Sequence, residues 1–397
     1  MIKRTGSMII VSALMISLAA QTENAAVWEQ LYRTVPDDEQ RVALLNQAAE
    51  KRDRENIPIF EFALGEVISS RIDTGSTAQR HAKKRIARIA IQELVALNSR
   101  GSVELIHDVY TDTSDAALKS EAAVALGTLK AVEFIPRLVR DLTSINNGPV
   151  AARAREQETI AWGLVHALSL MGQAAGFEAV FMASLGWYSS PSKVRESARE
   201  ALAVMVEDPT DPLLNIVIQH PEMDKKQAAL EASLASRAPA ERKAELASRA
   251  LRIGIDRVAN DAHARMAGSK LRVTALNALI ASGDRNSSHV PLYLEVIALD
   301  RRDDATLEQT LKAYQALGVN GSDEAVRFMA ARLTQYNALE KLKGNDARDK
   351  GLIRQLVISL GASGNPLARP ALQEASFIDY DNAIARAIRD ALQALPR

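Results

Sequence analysis

The sequence predicts an all-α chain, a solenoid of about eight stacked antiparallel helix pairs, and three observations carry that expectation. Ser120 to Leu142 (SEAAVALGTLKAVEFIPRLVRDL) reads as a small-residue helix, a glycine and a second helix, and parts of it return further along. Of the 397 residues, 47% are hydrophobic but only 4% aromatic, and Ala, Leu, Glu, Arg and Lys, all good helix formers, dominate the long segments. No stretch alternates apolar and polar residues with Val, Ile and Thr enrichment, so no sheet domain is expected.

Offsets from glycine set the repeat. After Gly127 come Phe134, Ile135, Pro136 and Leu138 at plus seven, eight, nine and eleven. Gly172 is followed by Ala179 and Val180, Gly318 by Ala325, Val326 and Met329, and Gly361 by Ala368, Pro370 and Leu372 at matching offsets, with Gly283 running one place early. The anchors lie 45, 35 and 43 residues apart, and the 111 residues between Gly172 and Gly283 hold three units of 37, periods that suit two-helix repeats. On this reading each glycine supplies the positive φ that ends a helix. Pro136, deep in the following helix, bends it. Ala122, Ala123, Val124 and Ala125 let neighbouring helices approach, and Leu126 and Leu129 fill the space between.

Three regions follow. Residues 1–25 read as a secretory signal peptide: Lys3 and Arg4 precede the apolar run Met8 to Ala20, with a cleavage site near 19–25. That run is shorter than the roughly 20 residues a membrane-spanning helix needs. Residues 26–75 form an N-terminal cap or divergent first repeat, with helices over Ala26 to Arg33 and Glu39 to Arg52. Residues 76–397 form the array, closed by a helix over Asp379 to Leu395 carrying Ile384, Ile388 and Leu392 on one face. Glu241 to Ser269 is long, charged and alanine-rich, and Asp208 to Pro212 is a rigid turn between helices.

Composition narrows the chemistry. With no cysteine there is no disulfide, thiolate metal site or thiol nucleophile. Lys plus Arg and Asp plus Glu are both 49, so removing Lys3 and Arg4 leaves 47 against 49, a balance unlike that of a nucleic-acid binder. One local exception is the basic run from Arg80 to Arg88. Arg80, Lys84 and Arg88 succeed one another at i, i+4 and i+8 opposite an apolar stripe. They form either a solvated face or, with Lys83, a docking site for an acidic partner or a phospholipid headgroup. The six histidines are scattered, so no metal site is expected. Ser190 and Lys193 match S-x-x-K but lack the accompanying motifs; Ser190 instead reads as a helix N-cap with Pro191 in the first turn. The acidic clusters lack calcium-loop spacing and read as helix starts.

Five of the 17 aromatic residues fall between Trp162 and Tyr188. Phe177 and Phe181 share a helix face and are expected in the core. Trp187 and Tyr188 stand in the turn GWYSSPSK, where large aromatics either fold back on the helices or contact a partner, so they join Arg80, Lys83, Lys84 and Arg88 as candidate partner-binding residues.

Ala122, Ala125, Leu126, Gly127, Ile135, Pro136 and Leu138 occupy the positions of the pattern A-x-x-A-L-G, turn, V-P-x-L. In this the chain resembles the HEAT repeat family, particularly its short bacterial, PBS-lyase-type form, from about Ser76 to the C-terminus. Ala131-Val132 stands where the family has Asp-Pro. The resemblance implies a right-handed solenoid and a binding scaffold with no catalytic residue. The functional expectation is an exported, periplasmic, monomeric and non-enzymatic scaffold that binds a protein or peptide, with no cofactor, no nucleic acid and no membrane span in the mature chain. The alternatives are a cofactor-handling or lyase-like enzyme on the same array, or membrane or nucleic-acid contact through residues 80–88.

Overall fold

The computed structural model describes residues 25–149, 151–256, 262–300 and 306–396; the signal-peptide expectation thus falls almost wholly outside the described residues. These hold twenty α-helices and no strand. The chain divides into two compact units, one up to Val206 and one from Glu207 onward. The first contains α1 (Ala25–Thr34), α2 (Asp38–Glu50), α3 (Ile57–Ser69), α4 (Thr77–Ala96), α5 (Val103–Asp112), α6 (Ala116–Thr128), α7 (Ile135–Asn146), α8 (Ala154–Met171), α9 (Phe177–Ser184) and α10 (Val194–Met205). The second contains α11 (Thr210–Gln219), α12 (Met223–Ala235), α13 (Ala240–Asp256), α14 (Ala262–Ala281), α15 (Val290–Asp300), α16 (Leu307–Asn320), α17 (Asp323–Lys343), α18 (Ala347–Ala362), α19 (Arg369–Ser376) and α20 (Asn382–Ala394).

Within each unit a helix packs on its chain neighbour and on the helix two further along. In the first, α4, α6, α8 and α10 follow one another side by side, and α3 packs on α1 and α5. In the second, α12, α14, α16, α18 and α20 do the same. No described helix is long and apolar enough to cross a membrane.

The helices at the chain's start lie where the sequence expects them, at α1 and α2, and the last, α20, buries Ile384 and Ile388. Asp208 opens α11 by accepting the Thr210 N–H at 2.9 Å. Glu241 to Ser269 spans α13 and the start of α14, separated by residues outside the described set.

Gly172 and Gly283, both at φ 66°, end helices as expected, but Gly127, Gly318 and Gly361 do a different job. Gly127 lies inside α6 and is buried. A Cβ there would stand 2.5 Å from the Cα of Ala167 on α8 and 2.8 Å from its carbonyl oxygen, so this glycine is where two helix backbones cross in contact. Gly318 against Ser359 and Gly361 against Ala391 repeat the arrangement. The left-handed residue that ends α6 comes three positions later, at Lys130 (φ 56°), where the Ala131 N–H reaches back to Leu126 O and the Lys130 N–H to Gly127 O. Gly172, with φ 66°, is therefore the counterpart of Lys130, not of Gly127.

With the phase corrected, a tighter unit emerges. Arg52, Asn98, Lys130, Gly172 and Gly364 all have positive φ. Each is followed, after one residue, by a three-residue 3-10 turn (Arg54–Asn56, Arg100–Ser102, Val132–Phe134, Ala174–Gly176 and Pro366–Ala368) and then at once by α3, α5, α7, α9 or α19. Pro58, Pro136 and Pro370 sit in the first turn of their helices, where no intrahelical N–H bond is lost. Pro136 therefore starts α7 and does not bend it. Ser190 caps no α-helix: Ser190–Ser192 is a 3-10 turn, and α10 begins after the left-handed Lys193.

Candidate functional site

The basic run on α4 is spent within the protein. Lys83 Nζ donates to the carbonyls of Ser70, Arg71 and Thr74 at 2.8, 3.1 and 3.3 Å, closing the C-terminal end of α3, where peptide dipoles favour a cation. Lys84 lies 2.9 Å from Asp115 and 3.5 Å from Asp73. Arg88 donates to Glu121 at 3.1 Å, and Arg80 donates to Gly75 O and Thr77. In the expected docking face, Lys84 and Arg88 are thus paired with carboxylates, and Lys83 and Arg80 are bonded to uncharged groups of the protein.

The aromatic turn is likewise folded inward. Tyr188 is 1% exposed and donates from its hydroxyl to Asn146 Oδ1 at 2.6 Å; Trp187 is half-buried and donates from Nε1 to Ile145 O at 2.9 Å. Both bonds run to the end of α7, one to a backbone carbonyl and one to the Asn146 side chain. Tyr188 therefore offers no surface to a partner, and the pair anchors the turn instead. Phe177 and Phe181 are buried, as the sequence predicts. Among the described residues no cluster of His, Asp or Glu is placed to hold a metal.

A cleft that the sequence did not signal lies among α1, α2, α3 and α4. It has a volume of about 850 Å³ and is lined by Tyr32, Asp38, Arg41, Phe62, Glu66 and Lys83, with Gly65 in its wall. The Tyr32 and Phe62 rings meet edge to face at 6.0 Å, the Arg33 guanidinium lies 4.3 Å over Phe62, and that of Arg41 lies 5.1 Å over Tyr32. Arg41 is held by Val35 O at 2.9 Å and stands 3.4 Å from Glu66 and 3.7 Å from Asp38. The wall thus carries two aromatic rings beside charges of both signs.

Tyr32 is the unusual member. Its side chain is fully buried, yet its hydroxyl has no hydrogen-bond partner within the protein. Burial pushes its pKa well above the usual phenol value; Arg41 opposes this, and Glu66 and Asp38 add to it, so the group stays a neutral O–H donor. Leaving such a donor unmade costs about 1–3 kcal/mol. Tyr32→Phe is therefore expected to stabilise the free protein by about 1 kcal/mol in thermal melts; a loss of stability would mean that the hydroxyl already has a partner. These residues were illegible as a cleft in the sequence because they come from four helices with no common spacing and converge only on folding.

No protein-family profile matches the chain and no curated protein matches it. Two solved structures are similar over most of its length. Human deoxyhypusine hydroxylase in complex with glycerol is 19% identical over 85% of this chain and 96% of its own, with a TM-score of 0.27. An engineered protein is 15% identical over 92% of this chain and 98% of its own, with a TM-score of 0.32. Scores this low transfer neither fold detail nor activity. One expectation is nonetheless corrected: a hydroxylase is an enzyme, and with such a protein among the similar structures the non-enzymatic description is withdrawn.

Proposed function

We propose that the chain is an exported repeat protein of the HEAT type whose first unit binds a peptide segment of a protein partner in the cleft among α1, α2, α3 and α4. In this reading the helices of each unit stack as antiparallel pairs, ten in all where the sequence suggests about eight. Export rests on Lys3, Arg4 and the apolar run that follows.

The observation that carries the binding site is the cleft's lining, an aromatic surface beside charges of both signs. A peptide backbone alternates N–H donors and C=O acceptors. Arg41 donates at the cleft wall, and the Asp38 and Glu66 carboxylates beside it accept. Phe62, half-buried at the wall with the buried Tyr32 ring packed edge to face against it, supplies the flat apolar area that anchors a side chain, and aromatic anchors carry most of the energy in such contacts. The two carboxylates disfavour a phosphate backbone, which argues against nucleic acid here. Loading the full chain with peptides selected from a displayed random library, followed by photo-crosslinking and mass spectrometry, is expected to place the crosslinks on α1 to α4. Crosslinks confined to other helices would rule this site out.

A further inference from the structure

Of the five aromatic residues between Trp162 and Tyr188, four turn inward and one does not. Trp162, on α8, is 38% exposed and lines a second cavity, of about 570 Å³, separate from the cleft described above. Arg155, Glu158, Thr159 and Trp162 fall at i, i+3, i+4 and i+7, one face of α8, and the 3-10 turn carrying Ser189, Pro191 and Ser192 forms the opposite wall. The volume lies within the roughly 300–1,000 Å³ typical of small-ligand sites.

Both walls are fixed before any ligand arrives. The Ser189 N–H donates to Glu158 Oε1 at 2.6 Å, tying the turn to α8, and Ser192 Oγ donates to Ser189 O at 2.7 Å. Trp187 and Tyr188, the residues just before, are bonded to the end of α7. Behind the indole stands His166, its ring centre 4.1 Å away. Burial lowers the His166 pKa, with Glu200 opposing, so a neutral ring tilted 54° to the indole stands behind Trp162. A cleft held this way spends little ordering entropy on binding.

The lining has a particular chemistry: one flat aromatic platform surrounded by hydroxyls, a guanidinium and a carboxylate. An extended proline-rich peptide needs a row of aromatic slots, and this cleft has a single indole. A pyranose ring fits better. It offers a C–H face that packs on an indole and a rim of hydroxyls that both donate and accept, which Arg155, Glu158 and the Thr159 hydroxyl can meet. We propose that this cleft is a saccharide-binding site, with one pyranose ring of a short neutral oligosaccharide seated on Trp162 and its hydroxyls met by Arg155, Glu158 and Thr159.

The test titrates the full chain with cellotriose, maltotriose and chitotriose, read by tryptophan fluorescence and by saturation-transfer NMR. At least one trisaccharide is expected to bind saturably, with affinity falling about tenfold or more in Trp162→Ala, the scale of a lost stacking platform, and less in Trp162→Phe. Thr159→Arg is the second variant, because Thr159 is exposed and a longer side chain there crowds the cleft without touching the core; it too should abolish binding while the melting temperature holds. No saturable binding of any of the three sugars at millimolar concentration, or equal binding by Trp162→Ala and Thr159→Arg, would overturn the proposal. Binding of a proline-rich peptide at Trp162 in their place would overturn it as well.

Discussion

Replacing Gly127 with alanine will destabilise the first unit by roughly 1–3 kcal/mol, the usual cost of forcing extra volume into a packed core. The argument is steric. An added Cβ would meet Ala167 Cα at 2.5 Å and its carbonyl oxygen at 2.8 Å, and both are backbone atoms that cannot rotate away. Helices α6 and α8 must then separate, and buried contacts such as those of Leu126 and Leu164 loosen with them. Gly65→Ala is the matched control. Gly65 also lies inside a helix, but a Cβ there meets nothing within 4 Å, so alanine should stabilise by about 0.5–1 kcal/mol through helix propensity alone. Urea unfolding followed by circular dichroism separates the two signs. Two substitutions of the same kind with the same sign would mean that the α6–α8 crossing is looser than described.

Asp115→Ala will cost about 2–3 kcal/mol at neutral pH, combining a lost N-cap, worth roughly 0.5–2 kcal/mol, with lost ion pairs. Asp115 accepts the Leu118 N–H at 2.9 Å at the start of α6, and the same carboxylate lies 2.9 Å from Lys84 and 3.7 Å from Arg88. Burial alone would raise its pKa, but the Leu118 N–H, Lys84 and Arg88 together outweigh that and hold it below the usual carboxylate value. Asp73 is lowered in the same sense: burial is opposed by the backbone N–H and hydroxyl of Ser114 and by Lys84. The sign for stability follows from this depression. The folded form binds protons less readily than the unfolded chain, so the stabilisation is complete above the ordinary aspartate pKa of about 4 and is lost as pH falls through the lower folded value. Wild type should therefore lose urea resistance as pH falls below about 4, and Asp115→Ala should start lower and fall less over the same descent. Parallel losses in the two proteins would show that Asp115 is not among the groups responsible.

Helical content was legible from the chain, because residue composition and a periodic apolar pattern are local properties. The phase of the repeat was not. Gly127 and Gly172 look alike as letters, yet one is small so that Ala167 of a neighbouring helix can pass, and the other is small so that its own φ can be positive. Only the packed structure tells these apart. The shared face of Arg80, Lys84 and Arg88 was equally visible, but the acids that neutralise it, Asp115 and Glu121, lie 31 and 33 residues from Lys84 and Arg88. Trp187 and Tyr188 find their acceptors 42 residues back, one repeat earlier. A glycine- and serine-rich turn suggests exposure on local grounds, whereas docking on the preceding repeat is decided at a distance. The cleft of Tyr32, Arg41, Phe62 and Glu66 was hidden for the same reason.

That cleft can be closed without disturbing what surrounds it. Gly65 lines it, sits in regular helix and faces open space, so Gly65→Trp fills the cavity from its wall. The decisive measurement is the affinity of a library-selected peptide for wild type and for Gly65→Trp by isothermal titration calorimetry, with melting curves of both. Binding should vanish in Gly65→Trp while the melting temperature stays at or near the wild-type value. Undiminished binding by a folded Gly65→Trp protein would mean that the α1 to α4 cleft is not where the peptide goes.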